Sequence, residues 1–439
     1  MNSDINNNDR INYFNEKHSC EKSRIPDVDE LIEKGICKEY AEADGKNNSD
    51  IQIRFKRTGI IIFKGKIYVI FPCGYRFNKT DPYDDVQLLL KLFDIVKEKI
   101  SRNIYESVDI EYEGEADSLV LASKIIEDYK ENGCINTEHI VEGTNVRGKV
   151  NWKKTMRLKT QVFNDEGMPI FTELVKRHKE NDKDSLLKDL HMYVVNKSIS
   201  EFGIIWGLKS NVDNENIQLP VEKEYALYFL QSQKIVTYNS RILRVINLII
   251  EFINCDEKDN KDNSFMSFST KTFYTIWELI CKELFRDEFV NMKHLMPKPY
   301  WKIGNKMDET NQIPDIVYKD EDDLYILDAK YYCIENSLPG WHDLVKQFFY
   351  EMSLRDLIKD AKSRYNVMLI PSDMEEENMK FLGVSGVNGI PNFGQVGGIL
   401  VNAKKAIKDY CYGNDVDYRD SLREIVNHME LDNVKYISK

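Results

Sequence analysis

The stretch IPDIVYKDEDDLYILDAKYY, Ile313 to Tyr332, decides how the C-terminal part of this chain is read. Pro314-Asp315 opens a short apolar run, Asp320 to Asp323 supply an acidic turn, and a second apolar run ends in Asp328-Ala329-Lys330. Asp is depleted from strands and tolerated in turns, so the pattern predicts a β-hairpin. Side chains alternate faces along a strand. Asp328 and Lys330 therefore share a face with Leu324 and Ile326, while Tyr325, Leu327 and Ala329 point the other way. A strand apolar on both faces is central and buried. The reversal brings Asp315 back beside the end of the second strand. Buried carboxylates need a cation, and hard oxygen donors suit Mg²⁺, which keeps several waters and takes phosphate oxygens from a substrate. A metal so placed generates a nucleophile from water and stabilises a leaving oxygen. Lys330 then orients or deprotonates the water and offsets phosphate charge.

The competing reading is an ordinary salt-bridged hairpin, because the chain carries 73 Asp and Glu in 439 residues and Asp-x-Lys triplets arise by chance. Asp256 to Lys258, Asp259 to Lys261 and Asp360 to Lys362 are such triplets, and none has a Pro-Asp strand before it. Flanking segments add to the hairpin. Phe273, Ile276, Trp277, Ile280 and Leu284 recur at helical spacing, with Ser269 or Thr270 as candidate caps. Glu278 lies off that stripe beside Tyr274, Cys281 and Phe285, either as a third metal ligand or as an exposed partner of Lys282 four residues on. A second helix starts near Gly340 and carries Asp343, Lys346, Gln347 and Tyr350, polar groups that could reach phosphate or form a solvated face.

In this order, a helix Glu, a Pro-Asp strand, an Asp-x-Lys strand and a Gln-bearing helix resemble the PD-(D/E)XK nuclease superfamily, through Glu278, Asp315, Asp328, Lys330 and Gln347. Asp328 stands where many members carry Glu. Two N-terminal runs, GIIIFKGKIYVIFP from Gly59 to Pro72 and EGTNVRGKVNWKKT from Glu142 to Thr155, are similar to the LlaJI restriction endonucleases and the related McrC nuclease subunits. That resemblance implies a DNA endonuclease subunit, double-stranded DNA as substrate, Mg²⁺ as cofactor with Mn²⁺ as a substitute, and catalytic roles for Asp315, Asp328, Lys330, Glu278 and Gln347. Asp315, Asp328 and Glu278 are the implied metal ligands. It also implies a McrB-like AAA+ NTPase partner, met by the N-terminal region.

The fold class expected is α/β and α+β. Residues 1–50, polar and Asn-rich, are expected to be a mobile tail; 51–183 an N-terminal α+β domain with a hairpin turn at Lys64-Gly65; 184–263 a helical connecting region ending in a linker; and 264–439 a mixed-sheet PD-(D/E)XK nuclease domain. Arg147, Lys149, Lys153, Lys154 and Arg157 surround Trp152, a basic island read as a contact for DNA or the partner, or as a solvated loop. A formal net charge of −12 argues against a protein that merely coats DNA, whose affinity comes from phosphate neutralisation. The eight cysteines lack CxxC or zinc spacing and are read as reduced thiols of a cytoplasmic protein. The start is polar, with no signal-like run, and Ile242 to Ile253 is too short and too charged to span a bilayer. Gly59 to Ile67 fails as a Walker A loop, since Ile67 stands where a hydroxyl belongs, so nucleotide hydrolysis is assigned to another chain. A non-catalytic assembly subunit is the rival reading; a stand-alone DNA reader is disfavoured, because no helix-turn-helix or zinc-finger pattern is present.

Overall fold

The computed structural model describes residues 11–40, 52–101, 117–135, 138–181, 185–208, 217–255, 265–355, 361–390, 394–413 and 416–426. Most of the expected linker, and Ile51 of the expected first strand, lie outside them. The architecture is mixed α/β, with several sheets and helices. It divides into two compact units, one formed by residues 1–116 together with 262–439 and the other by 117–261. This differs from the expected four-segment division. The N-terminal strands and the Asp-x-Lys hairpin share a unit, and the helical middle shares a unit with the basic island.

In the first unit, a five-stranded sheet runs in the order 316–320, 323–329, 363–372, 395–402 and 379–386. The acidic hairpin is antiparallel, with Ile316 opposite Leu327 and Asp320 opposite Asp323; Glu321 takes a positive φ of 51° at its turn. Strand 323–329 then pairs in parallel with 363–372, so it is flanked on both sides and Leu324 to Leu327 are buried as the apolar pattern requires. Leu324 and Ile326 pack with Val317, Leu354 and Met292 on the face that also carries Asp328 and Lys330. On the opposite face Tyr325 stacks on Tyr318 at 4.7 Å between ring centres.

A second sheet of the same unit has the order 11–15, 66–71, 58–63 and 265–270. Its hairpin turns at Lys64 and Gly65, both at positive φ, as the Lys-Gly signal predicts. Strand Phe265–Thr270 completes this sheet and leads straight into helix Phe273–Leu284. Ser269 and Thr270 are therefore strand residues, and Thr272 is the residue that precedes the helix. Residues 11–40 of the expected tail take part in the fold: Ile11–Asn15 pairs in parallel with Lys66–Phe71, and Ile25, Leu31, Ile36 and Cys37 sit in a core with Ile53, Phe55 and Tyr68. A few well-spaced apolar residues are enough to dock a segment whose average composition is polar.

Two contacts tie this sheet to the five-stranded one. Trp277, fully buried on its helix, donates its indole N–H to the Leu369 carbonyl at 3.3 Å. Gly74, at φ +71°, passes so close to strand 363–372 that a Cβ there would lie 2.6 Å from the Pro371 carbonyl carbon, a space and a conformation only glycine accepts.

The second unit holds helices Asp117–Asn132, Leu186–Phe202, Lys223–Val236 and Ser240–Cys255. Buried Asp128 accepts ion pairs from Arg241 at 2.8 Å and Arg244 at 2.9 Å, and its carboxyl is lowered because, although burial raises it, the two guanidinium groups outweigh burial. A three-stranded sheet orders 138–143, 176–181 and 149–150. Of the basic island, Lys153, Lys154 and Arg157 lie on helix Trp152–Leu158, capped by the Asn151 side chain, while Lys149 is on strand 149–150 and Arg147 in the loop before it. Hairpin Gln161–Phe163 with Pro169–Phe171 follows it. Among the described residues no helix is long and apolar enough to cross a membrane.

Candidate active site

The hairpin of Ile313 to Tyr332 closes on itself through one backbone contact: the Ala329 N–H donates to Asp315 Oδ2 at 3.0 Å. This fixes Asp315 at the mouth of the hairpin, where its carboxyl is within hydrogen-bonding reach of Asp328. Asp328, 6% exposed, lies on the buried face as the alternation predicts. Lys330, held in line by its N–H donating to the Leu369 carbonyl at 2.9 Å, turns its Nζ back to Asp328 Oδ2 at 2.8 Å.

Burial pushes the Asp315 carboxyl up from 3.8 to about 8, and the negative charges of Asp328 and Glu278 push it the same way. Three carboxylates thus converge, and Asp315 is the one that burial and its acidic neighbours hold above the usual carboxylate range. Lys330 is the ammonium among them. Burial alone lowers its pKa, but Asp328 and Asp343 more than compensate and hold it above the ordinary lysine range, so it is a fixed cation at neutral pH.

Glu278 is half-buried on its helix, close enough to raise Asp315 and at the same time ion-paired with Lys282. Its ion pair with Lys282 is the one its sequence position offers, and it stands near the Asp315 carboxyl as well. From helix Trp341–Arg355 the residue that meets Lys330 is Asp343, whose Oδ1 is 2.9 Å from Nζ. Its Oδ2 accepts from the Tyr332 hydroxyl at 2.8 Å. Gln347 lies one turn further on, fully buried, and its side-chain amide finds no hydrogen-bond partner among the described residues. No hydrogen bond or ion pair among the described residues joins it to the acidic cluster. Asp343 carries a signal in the sequence only as a carboxylate in the first turn of a helix, a common and unspecific feature.

Glu278, Asp315, Lys330 and Asp343 line a cavity of about 730 Å³ whose other walls carry the cations Lys17, Arg54, Lys56 and Lys271. Arg54 lies on strand Gln52–Phe55, Lys56 just after it, Lys17 in the turn after Ile11–Asn15, and Lys271 just before the Glu278 helix. Sequence spacing gives no sign of them. Beneath Lys17, the carboxyl of Glu16 is buried and accepts from Thr58 Oγ1 at 2.8 Å and from the Tyr331 hydroxyl at 2.5 Å. Burial raises its pKa, with Lys17 and the two hydroxyls opposing. Lys17 Nζ sits 4.2 Å from the centre of the Tyr331 ring and donates to the Tyr331 carbonyl at 3.0 Å. The residue following Lys330 is therefore gripped from both its ring and its backbone.

Arg147, Lys149, Lys153, Lys154 and Arg157 belong to the other unit. All five are exposed, and Lys154 pairs with Glu142. They adjoin a run of exposed apolar side chains: Trp152, Met156 and Leu158 on the helix, then Val162, Phe163 and Ile170 on the hairpin.

Residues 57–396 match the family model of the LlaJI restriction endonuclease. The chain belongs to that family. As a LlaJI-family chain it is also similar to the "Type II restriction enzyme BsuMI component YdjA" of Bacillus subtilis (strain 168), 26% identical over 267 residues, which are 56% of this chain and 56% of that protein. The match thus spans little more than half the length of that relative. A solved structure described as a "Refined half-complex from tetradecameric assembly of Thermococcus gammatolerans McrB AAA+ hexamers with bound McrC" is similar over 91% of this chain and 98% of its own, at 12% identity and a TM-score of 0.36.

Proposed function

We propose that this LlaJI-family chain is the nuclease subunit of a two-component restriction system, and that its five-stranded sheet with flanking helices is a PD-(D/E)XK domain cleaving DNA phosphodiesters. The observation that carries the reading is the convergence of Asp315, Asp328 and Glu278 with Lys330 at the mouth of one hairpin, beside a cavity walled by lysines and an arginine. The donor set fits a divalent hard cation: oxygen ligands, two of them largely buried, with the Asp315 carboxyl pushed up to about 8 by burial and by the charges of Asp328 and Glu278. Asp315, Asp328 and Glu278 would hold Mg²⁺, with Mn²⁺ as a substitute. Bound there, such an ion supplies charge to offset the phosphate and acidifies water.

The protein's own groups do the rest. Lys330, kept charged by Asp328 and Asp343, is suited to orienting water and neutralising a phosphate oxygen rather than to removing a proton. Asp343 fixes the Nζ position and is itself fixed by Tyr332. Lys17, Arg54, Lys56 and Lys271 would meet the DNA backbone, a local basic lining inside a chain of net charge −12. Gln347, buried with its side-chain amide unpartnered among the described residues, is one turn of helix beyond Asp343 and would act only once substrate is bound.

The partner is assigned to the exposed apolar and basic surface of the second unit. Phe163 is 60% exposed and Trp152 53%, among Arg147, Lys149, Lys153 and Arg157. Contiguous exposed apolar side chains rimmed by charge mark protein contacts. The occupant that fits the family resemblance is a McrB-like AAA+ NTPase, which matches the absence of a Walker A loop in this sequence.

The test is plasmid cleavage with Mg²⁺, with and without a McrB-like AAA+ NTPase and nucleotide, comparing the wild type with Lys330→Ala. Cleavage that requires the partner and is lost in the variant supports the reading. Cleavage that survives the substitution, or none at all from a confirmed complex that turns over nucleotide, supports a non-catalytic assembly subunit instead.

A further inference from the structure

Three stretches far apart in sequence converge behind the Lys330 strand. Cys73 and Cys333, separated by 260 residues, stand sulfur to sulfur as a disulfide pair with Cα atoms 5.8 Å apart, where sequence spacing alone reads them as unrelated thiols. A ring nitrogen of His18 and the two sulfurs all lie within 4.8 Å of one another. Both cysteines are buried, and Glu335 Oε2 stands 3.6 Å from His18 Nδ1.

The scaffold around them is built. The Cys73 N–H donates to the Tyr331 hydroxyl at 2.7 Å. Asn336 Nδ2 donates to the Lys17 carbonyl at 3.0 Å, and Lys17 Nζ to that of Tyr331 at 3.0 Å, so the backbones bearing His18 and Cys333 are laced together from both sides. The N–H groups of Asn336 and Ser337 both donate to the Cys333 carbonyl, closing a turn at that residue. None of these bonds depends on the sulfur–sulfur bond.

We propose that Cys73, Cys333 and His18 form a second metal site, which takes Zn²⁺ when the two cysteines are reduced. Two thiolates and an imidazole are the donors zinc prefers, and they discriminate against the hard cation that suits the acidic cluster. Glu335 is placed as the carboxylate partner that orients a ligating histidine. The redox step balances simply. A thiol or dithiol reductant gives two electrons to the Cys73–Cys333 bond and becomes a disulfide, the two sulfurs take up two protons, and both protons leave to solvent when Zn²⁺ binds at unchanged oxidation state. In either closed form, disulfide or zinc, a link through the sulfurs adds to the hydrogen bonds that hold the segment three residues beyond Lys330 beside Lys17 and Cys73; the reduced, metal-free form keeps only the hydrogen bonds.

The full-length chain, fully reduced and handled without oxygen, is titrated with Co²⁺ as a spectroscopic stand-in and then with Zn²⁺. The expected result is one equivalent of Co²⁺ giving a thiolate-to-metal charge-transfer band, displaced by Zn²⁺, with two of the eight cysteines protected from alkylation and mapped to Cys73 and Cys333. Glu335→Gln weakens binding on the order of 10- to 100-fold, and His18→Ala, which removes a ligand outright, weakens it further. Asp315→Asn leaves the band unchanged, which separates this site from the acidic cluster. A reduced wild type with no saturable band, protection that maps to other cysteines, or a disulfide that survives excess reductant overturns the proposal without recourse to any variant.

Discussion

Replacing Asp315 by Asn should stabilise the metal-free protein, and by an amount that grows with pH. The folded-state pKa of Asp315 is raised from 3.8 to about 8, by burial first and then by Asp328 and Glu278. Between those two values the unfolded chain has lost the proton that the folded chain still holds, so stability is greatest below the unfolded value and falls as pH rises toward the folded one. At about 1.36 kcal/mol per pKa unit the penalty is about 2 kcal/mol at pH 5.5, about 4 at pH 7 and about 5 at pH 8. Asn keeps the shape and can still accept the Ala329 N–H, but has no proton to lose. Denaturant unfolding in EDTA at pH 5.5 and pH 8 measures the difference. The gap between variant and wild type should widen by about 3 kcal/mol across that range. Mg²⁺ added at pH 8 should narrow it by stabilising the wild type alone, since a ligand that binds only the folded form adds stability by mass action. A gap of equal size at both pH values would refute the claim that Asp315 carries the strain of the cluster, and with it the argument that this donor set suits a cation.

Two further substitutions separate chemistry from assembly. Asp343→Asn removes one of the two carboxylates that hold Lys330, and should lower cleavage by the assembled system on the order of 10-fold or more while leaving divalent-metal affinity within about two-fold, with partial recovery in Asp343→Glu; equal losses in metal affinity and in cleavage would place Asp343 among the ligands instead. Phe163→Asp, on the exposed hairpin, should weaken association with the NTPase at least roughly 10-fold in a sedimentation or light-scattering assay and leave Mg²⁺ binding untouched, as expected of a large apolar anchor in an interface; unchanged association would move the partner contact elsewhere.

These predictions rest on features of very different legibility. The hairpin could be read because both its signals are local: period-two alternation puts Asp328 and Lys330 on one face, and an acidic turn four residues long can only return the chain on itself. The Glu278 helix and its buried stripe follow from local periodicity in the same way, and the observed core of Phe273, Ile276, Trp277 and Ile280 repeats the stripe. The Lys64-Gly65 turn is a backbone requirement written in two residues. In each case the information lies within a dozen positions of the chain, where steric and hydrophobic rules act directly.

What tertiary structure alone decided lies at long range. Nothing in the spacing of Asp343 says that it, rather than Gln347 one turn later, meets Lys330, because helix rotation against the sheet is set by packing of side chains from several strands. Average composition marks residues 1–50 as a tail, yet Ile11–Asn15 finds its partner strand more than fifty residues away. Division of the chain into units follows from the same fact, since strand Phe265–Thr270 pairs with Thr58–Phe63 and carries the N-terminal sheet to the acidic hairpin. Cys73 and Cys333 meet across 260 residues, and His18 joins them from a third segment. Local sequence thus determined which residues could do chemistry and on which face of a strand or helix they lie; the closing of long loops, which only the whole fold specifies, decided which of them stand together.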